Sequence, residues 1–185
     1  MFAKNDPFQT KNGLRRFKKT KSKFERHKNR NLLAKPGVHD LVVVLDRLKP
    51  EYNVGKILRT CEVFGCREIR LIGIPFFDPE PAAGALKHIP TKFFEFGIDA
   101  LASLRAEGYE IYSLSPNGGT ELGATELPRK CAIVLGHEEF GLSPELRAEN
   151  LPSIRIPQFG KSQSLNVSVA ASVVIWEYVR AHSKP

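Results

Sequence analysis

The sequence predicts an α/β fold in which helices alternate with the strands of a parallel sheet. Apolar runs rich in Val, Ile and Leu recur along the chain, as they do in strands that are buried on both faces. Segments with apolar residues at helical spacing lie between those runs, and this alternation is typical of a parallel sheet with crossover helices. The chain has 185 residues, 42% of them apolar, which is enough for one domain with a buried core.

The first strand and helix are predicted directly after Pro36-Gly37. Residues 41–45 form a continuous apolar run, which predicts a buried strand, and the apolar residues between 54 and 64 lie at helical spacing. A second strand is predicted over residues 69–72. Asn53 precedes the predicted helix, so it is a candidate N-cap whose side chain would satisfy free backbone N–H groups, although its amide could equally orient a ligand there.

The remaining elements continue the alternation. They are, in order, a proline-rich loop over residues 75–90, a helix around 98–104, a strand at 109–114, a loop over 115–128, strands at 131–135 and 154–156, and a helix over 165–182. The last helix is apolar almost all round, through Val167, Val169, Val173, Val174, Ile175, Trp176 and Val179. Because a sheet covers only one side of such a helix, we expect a subunit interface to cover the rest.

The net charge of +8 is concentrated near the N-terminus. Residues 1–37 hold 12 Lys or Arg and 2 acidic residues, whereas the rest of the chain holds 16 and 18. We call residues 1–37 the basic arm. Its middle carries nine cations, namely Arg15, Arg16, Lys18, Lys19, Lys21, Lys23, Arg26, Lys28 and Arg30. Such a segment repels itself and buries little, so we expect it to be partly disordered or a frayed helix. Nucleic acid is the favoured partner, ahead of a solubility tail or a localisation signal.

Several classes of protein are disfavoured. No apolar run could span a bilayer and the first residues lack the apolar stretch of a secretory signal, so we expect no membrane association and a cytoplasmic location. The three cysteines show no CxxC spacing, which fits a reducing compartment and predicts no metal site. Gly160-Lys161-Ser162 resembles the end of a phosphate loop, but Arg155 replaces the glycine that this motif needs.

Polar side chains follow the predicted strands in three segments. In residues 53–65, Arg59 lies near Gly55 and off the apolar helix face, which suggests the close approach of something large; the alternative is an ordinary surface arginine. In residues 135–145, a glycine-flanked turn presents Glu138 and Glu139 at the carboxyl edge of the sheet. Ligands of open α/β sheets bind at that edge, and the alternative is a solvated connecting loop.

The third segment, residues 154–171, runs from a strand through a polar turn into the last helix. Ser164 is its predicted N-cap. Together the three segments read N-x-G-x-I-x-R-T-x-x-x-F-G, L-G-x-E-x-x-G-L-S and I-P-x-x-G-x-x-x-S-L-N-V-S-V-A-A. They resemble motifs one, two and three of the SpoU, or TrmH-type, RNA ribose 2′-O-methyltransferases of the SPOUT superfamily. The resemblance covers about residues 38–182, with the motifs in the family's order.

This resemblance implies a fold, a reaction and partners. The fold would be a SPOUT-type α/β domain over residues 38–185 with a C-terminal trefoil knot, a rare exception to chain topology rules. The reaction would transfer a methyl group from S-adenosylmethionine to a ribose 2′-hydroxyl, of guanosine above all, in tRNA or rRNA. Ribosomal RNA stays open because members acting on the tRNA D-loop often carry further C-terminal helices. The protein would be a homodimer with its site near the interface.

The resemblance also implies roles for nine positions. Arg59 matches the catalytic arginine, and Asn53, Glu138, Ser164 and Asn166 match positions that orient it and the ribose. Leu114, Gly136, Ile156 and Leu165 match positions whose backbone cradles the methyl donor.

An arginine stays protonated, so Arg59 would stabilise a developing alkoxide or relay a proton through the neighbouring phosphate. The competing hypothesis is an RNA-binding or ribosome-assembly protein that keeps the fold without catalysis. Suitable residues at all five catalytic positions argue against it.

Overall fold

The structure, a computed structural model, describes residues 11–124 and 126–183. At its centre lies a seven-stranded sheet in which every paired strand is parallel. The strands are β1 (His39–Asp46), β2 (Cys66–Ile72), β3 (Thr91–Phe94), β4 (Glu110–Leu114), β5 (Thr120–Glu121), β6 (Cys131–Leu135) and β7 (Ser153–Arg155), in the spatial order β3-β2-β1-β6-β4-β7-β5. The predicted α/β class with a parallel sheet is confirmed.

Five α-helices in the described part of the chain cover the two faces of this sheet. They are α1 (Lys11–Asn31), α2 (Tyr52–Val63), α3 (Gly97–Ala106), α4 (Pro144–Ala148) and α5 (Val167–His182). Helices α1, α2 and α5 share one hydrophobic cluster, and α3 and α4 share the other. Leu41, Val43 and Leu45 of β1 enter the first cluster, whereas Val42 and Val44 enter the second. Because both faces are buried, β1 is a continuous apolar run rather than an alternating one.

Two strands lie inside or next to segments that the sequence predicts as loops. β3 follows the proline-rich residues 75–90, and β5 is a two-residue strand within residues 115–128. Both are edge strands of the sheet, and their residues are at most half-buried. They therefore lack the apolar run by which buried strands are recognised in a sequence.

Both predicted N-caps are wrong. Asn53 lies inside α2, whose N-cap is Glu51, and its amide bonds across the site instead. At α5 the cap is Asn166 rather than Ser164, because Asn166 Oδ1 accepts a hydrogen bond from the Ser168 N–H at 2.9 Å. An asparagine fills the capping role as well as a serine does.

The described part of the basic arm, residues 11–37, includes helix α1, which is docked on the domain. Phe24 is fully buried, and its ring makes edge-to-face contacts with Phe76, Phe77 and Phe93 at centroid distances of 5.1, 5.1 and 6.2 Å. One large aromatic side chain inserted among others supplies the burial that the rest of the arm lacks. Residues 1–10 of the arm lie outside the described residues.

The end of α1 is fastened by Asn31. Its Nδ2 donates to the carbonyl oxygens of Leu86 and Ile89, both at 2.6 Å, and its Oδ1 accepts from the Thr91 N–H at 3.0 Å. These bonds tie α1 to the start of β3, so the helix has a fixed place on the domain. Within the described residues, no helix is both long and apolar enough to cross a membrane.

Candidate active site

A cleft of about 650 Å³ opens at the carboxyl ends of the central strands and at the start of α5. All four positions expected to cradle the methyl donor line it: Leu114 ends β4, Gly136 follows β6, Ile156 follows β7, and Leu165 precedes α5. Parallel strands end at the same edge of a sheet, so residues far apart in sequence meet there. The volume of the cleft is in the range of pockets that bind small molecules.

A tight turn after β6 forms one wall of the cleft. His137 and Gly141 close it with two backbone hydrogen bonds, of 2.8 and 2.9 Å. A Cβ added at Gly136 would lie 2.3 Å from the Gly141 carbonyl carbon, so only glycine fits there. Gly141 itself has a φ of 68°, in the left-handed region. The turn therefore presents Glu138, Glu139 and Phe140 at fixed positions.

Three of the five predicted catalytic positions form one hydrogen-bonded chain. Asn53 Nδ2 donates to Glu138 Oε1 at 2.9 Å, and Asn166 Nδ2 donates to Asn53 Oδ1 at 3.3 Å. This chain joins α2, the turn after β6 and the start of α5, one from each of the three motifs. Ser164 lines the same cleft beside Glu138 and Asn166.

The two adjacent glutamates have different partners. Partial burial raises the pKa of Glu138, but hydrogen bonds from the Asn53 amide and from backbone N–H groups, including that of Lys49, outweigh it, so this pKa lies below the ordinary value. The Glu139 carboxylate instead accepts from Lys49 Nζ at 2.6 Å, which lowers its pKa. Glu138 is thus an ionised acceptor that holds the Asn53 amide in place.

Arg59 is not joined to this chain within one copy of the protein. Its side chain is exposed on α2 and makes no hydrogen bond or ion pair with any described residue. The next residue, Thr60, lies against α5, with its Oγ1 3.2 Å from Ser172 Oγ. The close neighbour of Gly55 is the chain's own loop, because a Cβ there would lie 2.9 Å from the Ala82 nitrogen. The close approach that Gly55 suggested is therefore made by the chain's own loop.

Residues 40–176 match the family described as the SpoU rRNA Methylase family. The chain belongs to this family. This confirms the assignment that the three motifs predict.

Named relatives of this SpoU-family protein modify two kinds of RNA. It is 31% identical over 150 residues to the tRNA (guanosine(18)-2′-O)-methyltransferase of Thermus thermophilus, covering 78% of this chain and 77% of that one. It is 32% identical over 162 residues to a 23S rRNA (guanosine-2′-O-)-methyltransferase of Xylella fastidiosa, covering 85% and 65%. The chain spans only 38% of an uncharacterised Synechocystis tRNA/rRNA methyltransferase, to which it is 33% identical.

Solved structures share the fold. The A. aeolicus TrmH/SpoU tRNA modifying enzyme superposes with a TM-score of 0.71 at 25% identity, covering 85% of this chain and 82% of that one. The SpoU methyltransferase AviRb of Streptomyces viridochromogenes, solved in complex with AdoMet, gives a TM-score of 0.70 at 24% identity, covering 80% and 60%.

Asp46 is a buried residue beneath the site of this SpoU-family protein that the sequence analysis missed. It ends β1 fully buried, and its Oδ2 accepts from the Ser143 N–H at 2.6 Å, which anchors the segment after the turn. Burial raises the pKa of Asp46, partly offset by the Ser143 hydrogen bond. Its Oδ1 has no hydrogen-bond partner among the described residues. The signal was available, because an aspartate directly follows the apolar run of residues 41–45.

The cleft lining adds side chains that no motif position had indicated. They include Ser115, His137, Phe140, Arg147 and Gln158. Over residues 11–124 and 126–183, no group of three or more His, Cys, Asp and Glu side chains could hold a metal ion.

Proposed function

We propose that the protein is an S-adenosylmethionine-dependent methyltransferase that modifies a ribose 2′-hydroxyl in tRNA or rRNA. The observation that carries the proposal is the cleft, which unites the four expected donor-cradling positions with the chain of Glu138, Asn53 and Asn166. Guanosine is the proposed nucleoside, because the Thermus and Xylella relatives are both named for it. The protein acts in the cytoplasm.

The cleft suits the methyl donor. Leu114, Ile156 and Leu165 line it near strand and helix ends, where their main-chain groups would bind an adenosine moiety. Gly136 lets the backbone of the turn pack against the end of β6, since a Cβ there would lie 2.3 Å from the Gly141 carbonyl carbon. When bound, the donor supplies an activated methyl group on a sulfonium, so what the protein must add is a positioned and more nucleophilic oxygen.

The predicted catalytic residues are proposed to surround the ribose 2′-oxygen. Arg59 holds the phosphate next to the target ribose and stabilises the negative charge that develops on the 2′-oxygen, while that phosphate accepts the 2′-hydroxyl proton. Ionised Glu138 fixes the Asn53 amide. Asn166 and Ser164 lie at the start of α5, where they orient the sugar.

Two copies of the chain complete the site in this proposal. Val169, Val173 and Trp176 of α5 are 48, 37 and 53% exposed, and the Phe64 ring lies 5.7 Å from that of Trp176. An apolar face of this kind at the end of a core helix is typical of a subunit interface. Arg59 emerges from α2 beside α5, so a partner packed on this face brings Arg59 to the boundary between the copies.

The proposed fold includes the C-terminal trefoil knot of the SPOUT superfamily. The strand order of the sheet supports this proposal. β6 lies between the earlier strands β1 and β4, and β7 lies between the earlier strands β4 and β5. The backbone also packs tightly there, since a Cβ at Gly119 would lie 2.2 Å from the Ser153 carbonyl oxygen.

The basic arm is the proposed RNA-binding surface. Seven of its nine central cations are exposed: Arg15, Arg16, Lys18, Lys19, Lys21, Arg26 and Arg30. The other two are half-buried and engage the domain, Lys23 through an ion pair with Glu80 and Lys28 with its ammonium 4.4 Å from the Phe93 ring centroid. The seven exposed cations are free to contact phosphates.

The test is methyl transfer from tritiated S-adenosylmethionine to RNA from a strain that lacks the gene. We expect activity from the wild type and a loss of about 10²–10³-fold from Arg59→Ala, because one stabilising donor is removed. Arg105→Ala, which removes an exposed arginine paired with Glu149, is the matched control and should keep full activity. An equally active Arg59→Ala would contradict the role of Arg59. RNA binding without donor binding in calorimetry would support the non-catalytic alternative.

A further inference from the structure

An exposed aromatic ring stands at the rim of the cleft, at a position that the mechanism above does not use. Phe140 lines the cleft and is 73% exposed. One face of its ring is stacked on the imidazole of His137, with centroids 4.8 Å apart and the planes at 27°. The ring is therefore supported on one side and open on the other.

The turn that carries this ring is held by several hydrogen bonds. The two backbone bonds between His137 and Gly141 close it, and the Glu139 N–H donates to His137 Nδ1 at 3.1 Å, which fixes the imidazole under the ring. The ion pair of Glu139 with Lys49 ties the tip of the turn to the segment before α2. Because ring and support are already ordered, a flat ligand placed on Phe140 costs little further conformational entropy.

The location of the ring narrows the choice of ligand. Three of the expected donor-cradling positions lie at the ends of β4, β6 and β7 and the fourth precedes α5, whereas Phe140 is at the tip of the turn beyond Glu138. Glu138 is bound to Asn53 of α2, so this tip faces the side of the cleft where the ribose is proposed to lie. An open aromatic face beside a ribose is suited to the base that the ribose carries, since unpaired bases in RNA stack on aromatic side chains.

We propose that Phe140, supported by His137, is the platform on which the base of the nucleotide to be methylated stacks. This inference rests on the proposed function, because it names how that site holds its RNA. The target base must leave its own stack so that the 2′-hydroxyl can enter the cleft, and the Phe140 ring replaces the lost neighbour. Stacking accepts any base, so the ring contributes affinity and position rather than base selectivity.

The kinetic signature follows from that role. Stacking holds the base equally in the bound and reacting states, so its loss raises KM for RNA and leaves kcat unchanged. We expect Phe140→Ala to raise KM for RNA roughly 5- to 150-fold, the range for loss of one stacked base. Phe140→Trp keeps an aromatic ring and should keep the wild-type KM for RNA. Phe96→Ala, which removes another half-exposed phenylalanine, is the matched control and should leave KM unchanged.

A second measurement reads the contact directly. In Phe140→Trp the new indole adds to Trp176, the one tryptophan of the chain, and a base stacked on the new ring should quench its fluorescence. We expect quenching on adding RNA and none on adding S-adenosylmethionine alone, with donor affinity in calorimetry equal to that of the wild type.

The outcomes separate this inference from the proposed function. An active wild type whose Phe140→Ala variant keeps its KM for RNA would overturn the platform and leave the methyltransferase standing. Quenching by the donor alone, with a weakened donor affinity in Phe140→Ala, would assign the ring to the donor and also overturn it. If the wild type transfers no methyl group, the proposed function fails, and quenching by RNA still decides whether Phe140 stacks on a base.

Discussion

Helices α1 and α5 lie on the same face of the sheet but differ on their outward sides. Phe24 of α1 and Ile175 of α5 are buried in one hydrophobic cluster. Outward, α1 presents seven exposed cations, whereas α5 presents Val169, Val173 and Trp176. The inward faces of both helices are set by the core they share. The proposed partners differ with the outward faces: the charge on α1 suits a polyanion, and the apolar surface on α5 suits a second copy of the chain.

The largest expected effect comes from the charge on α1. Arg15, Lys19, Arg26 and Arg30 recur at spacings of four, seven and four residues, so they share one side of the helix over about 22 Å. If the arm contacts about 6–10 phosphates, RNA affinity should fall by about 10³–10⁵ between 50 and 200 mM salt. Changing these four residues to glutamine should reduce the slope of log affinity against log salt by about 3. The slope is measured by titrating RNA binding at several salt concentrations.

The control and the contrary result are specific to α1. Arg180→Gln neutralises an exposed cation of α5 that is paired with Glu177, and it should leave the salt slope unchanged. Donor affinity should stay at the wild-type value in both variants. An unaltered slope in the fourfold variant would refute the role of α1. Deleting residues 1–37 would be a poorer test of the charge, because the deletion also removes Phe24 from the core.

The second effect concerns the outward face of α5. Val173→Glu places a carboxylate on the proposed interface, and an unpaired buried charge costs about 3–5 kcal/mol, so dimer dissociation should increase at least about 100-fold. Light scattering across a concentration series measures the dissociation. The variant should also lose methyl transfer, since separated copies no longer bring Arg59 to the boundary, while its salt slope for RNA stays that of the wild type.

A matched apolar-to-acidic change tests the location of that face. Val38→Glu alters an exposed valine outside both helices and should leave the oligomeric state unchanged. A wild type that is monomeric at all concentrations, or a Val173→Glu variant that remains a dimer, would contradict the assignment of α5 as an interface.

The two helices also differ in how far the sequence predicts them. The apolar residues of α5 are dense, so both the helix and its need for cover follow from the pattern. In α1 the docking face is sparse: Phe17, Phe24 and Asn31 are spaced seven residues apart in a run dominated by cations. The charge predicts repulsion, and only the three-dimensional contacts of Phe24 with residues 76–93 reveal what stabilises the helix.

In the candidate site, too, some features follow from the sequence and others only from the three-dimensional contacts. The four positions proposed to cradle the donor were indicated by the family resemblance, and all four line the cleft. The chain from Glu138 through Asn53 to Asn166 depends on side-chain directions that spacing alone does not fix, and the N-cap roles predicted for Asn53 and Ser164 were wrong for that reason. Asp46 was visible as a polar residue directly after an apolar run, but its bond to Ser143 needed the fold.

The smallest expected effect is on the pH dependence of the unfolding free energy, to which a histidine of α1 contributes. His27 of α1 is nearly buried, and burial first, followed by Lys87, Lys23, Arg26 and Arg30, lowers its pKa from the ordinary 6.5. The unfolded chain therefore binds this proton more readily than the folded chain. The stability linked to His27 is fully present above the unfolded pKa and is lost as pH falls below it toward the folded pKa. His27→Gln should flatten the fall in unfolding free energy between pH 7.5 and 5.5, measured by urea denaturation.

The corresponding group for α5 is His39, whose ring lies 6.1 Å from that of Tyr178. Burial first, and then His182, lower the pKa of His39, so the same sign applies to it. His39→Gln and His27→Gln should each remove a separate part of the pH dependence, and the double variant should remove both parts. If His27→Gln leaves the pH dependence intact while His39→Gln reduces it, then α1 separates from the domain before the core unfolds, and its docking is not part of the cooperative unit that includes α5.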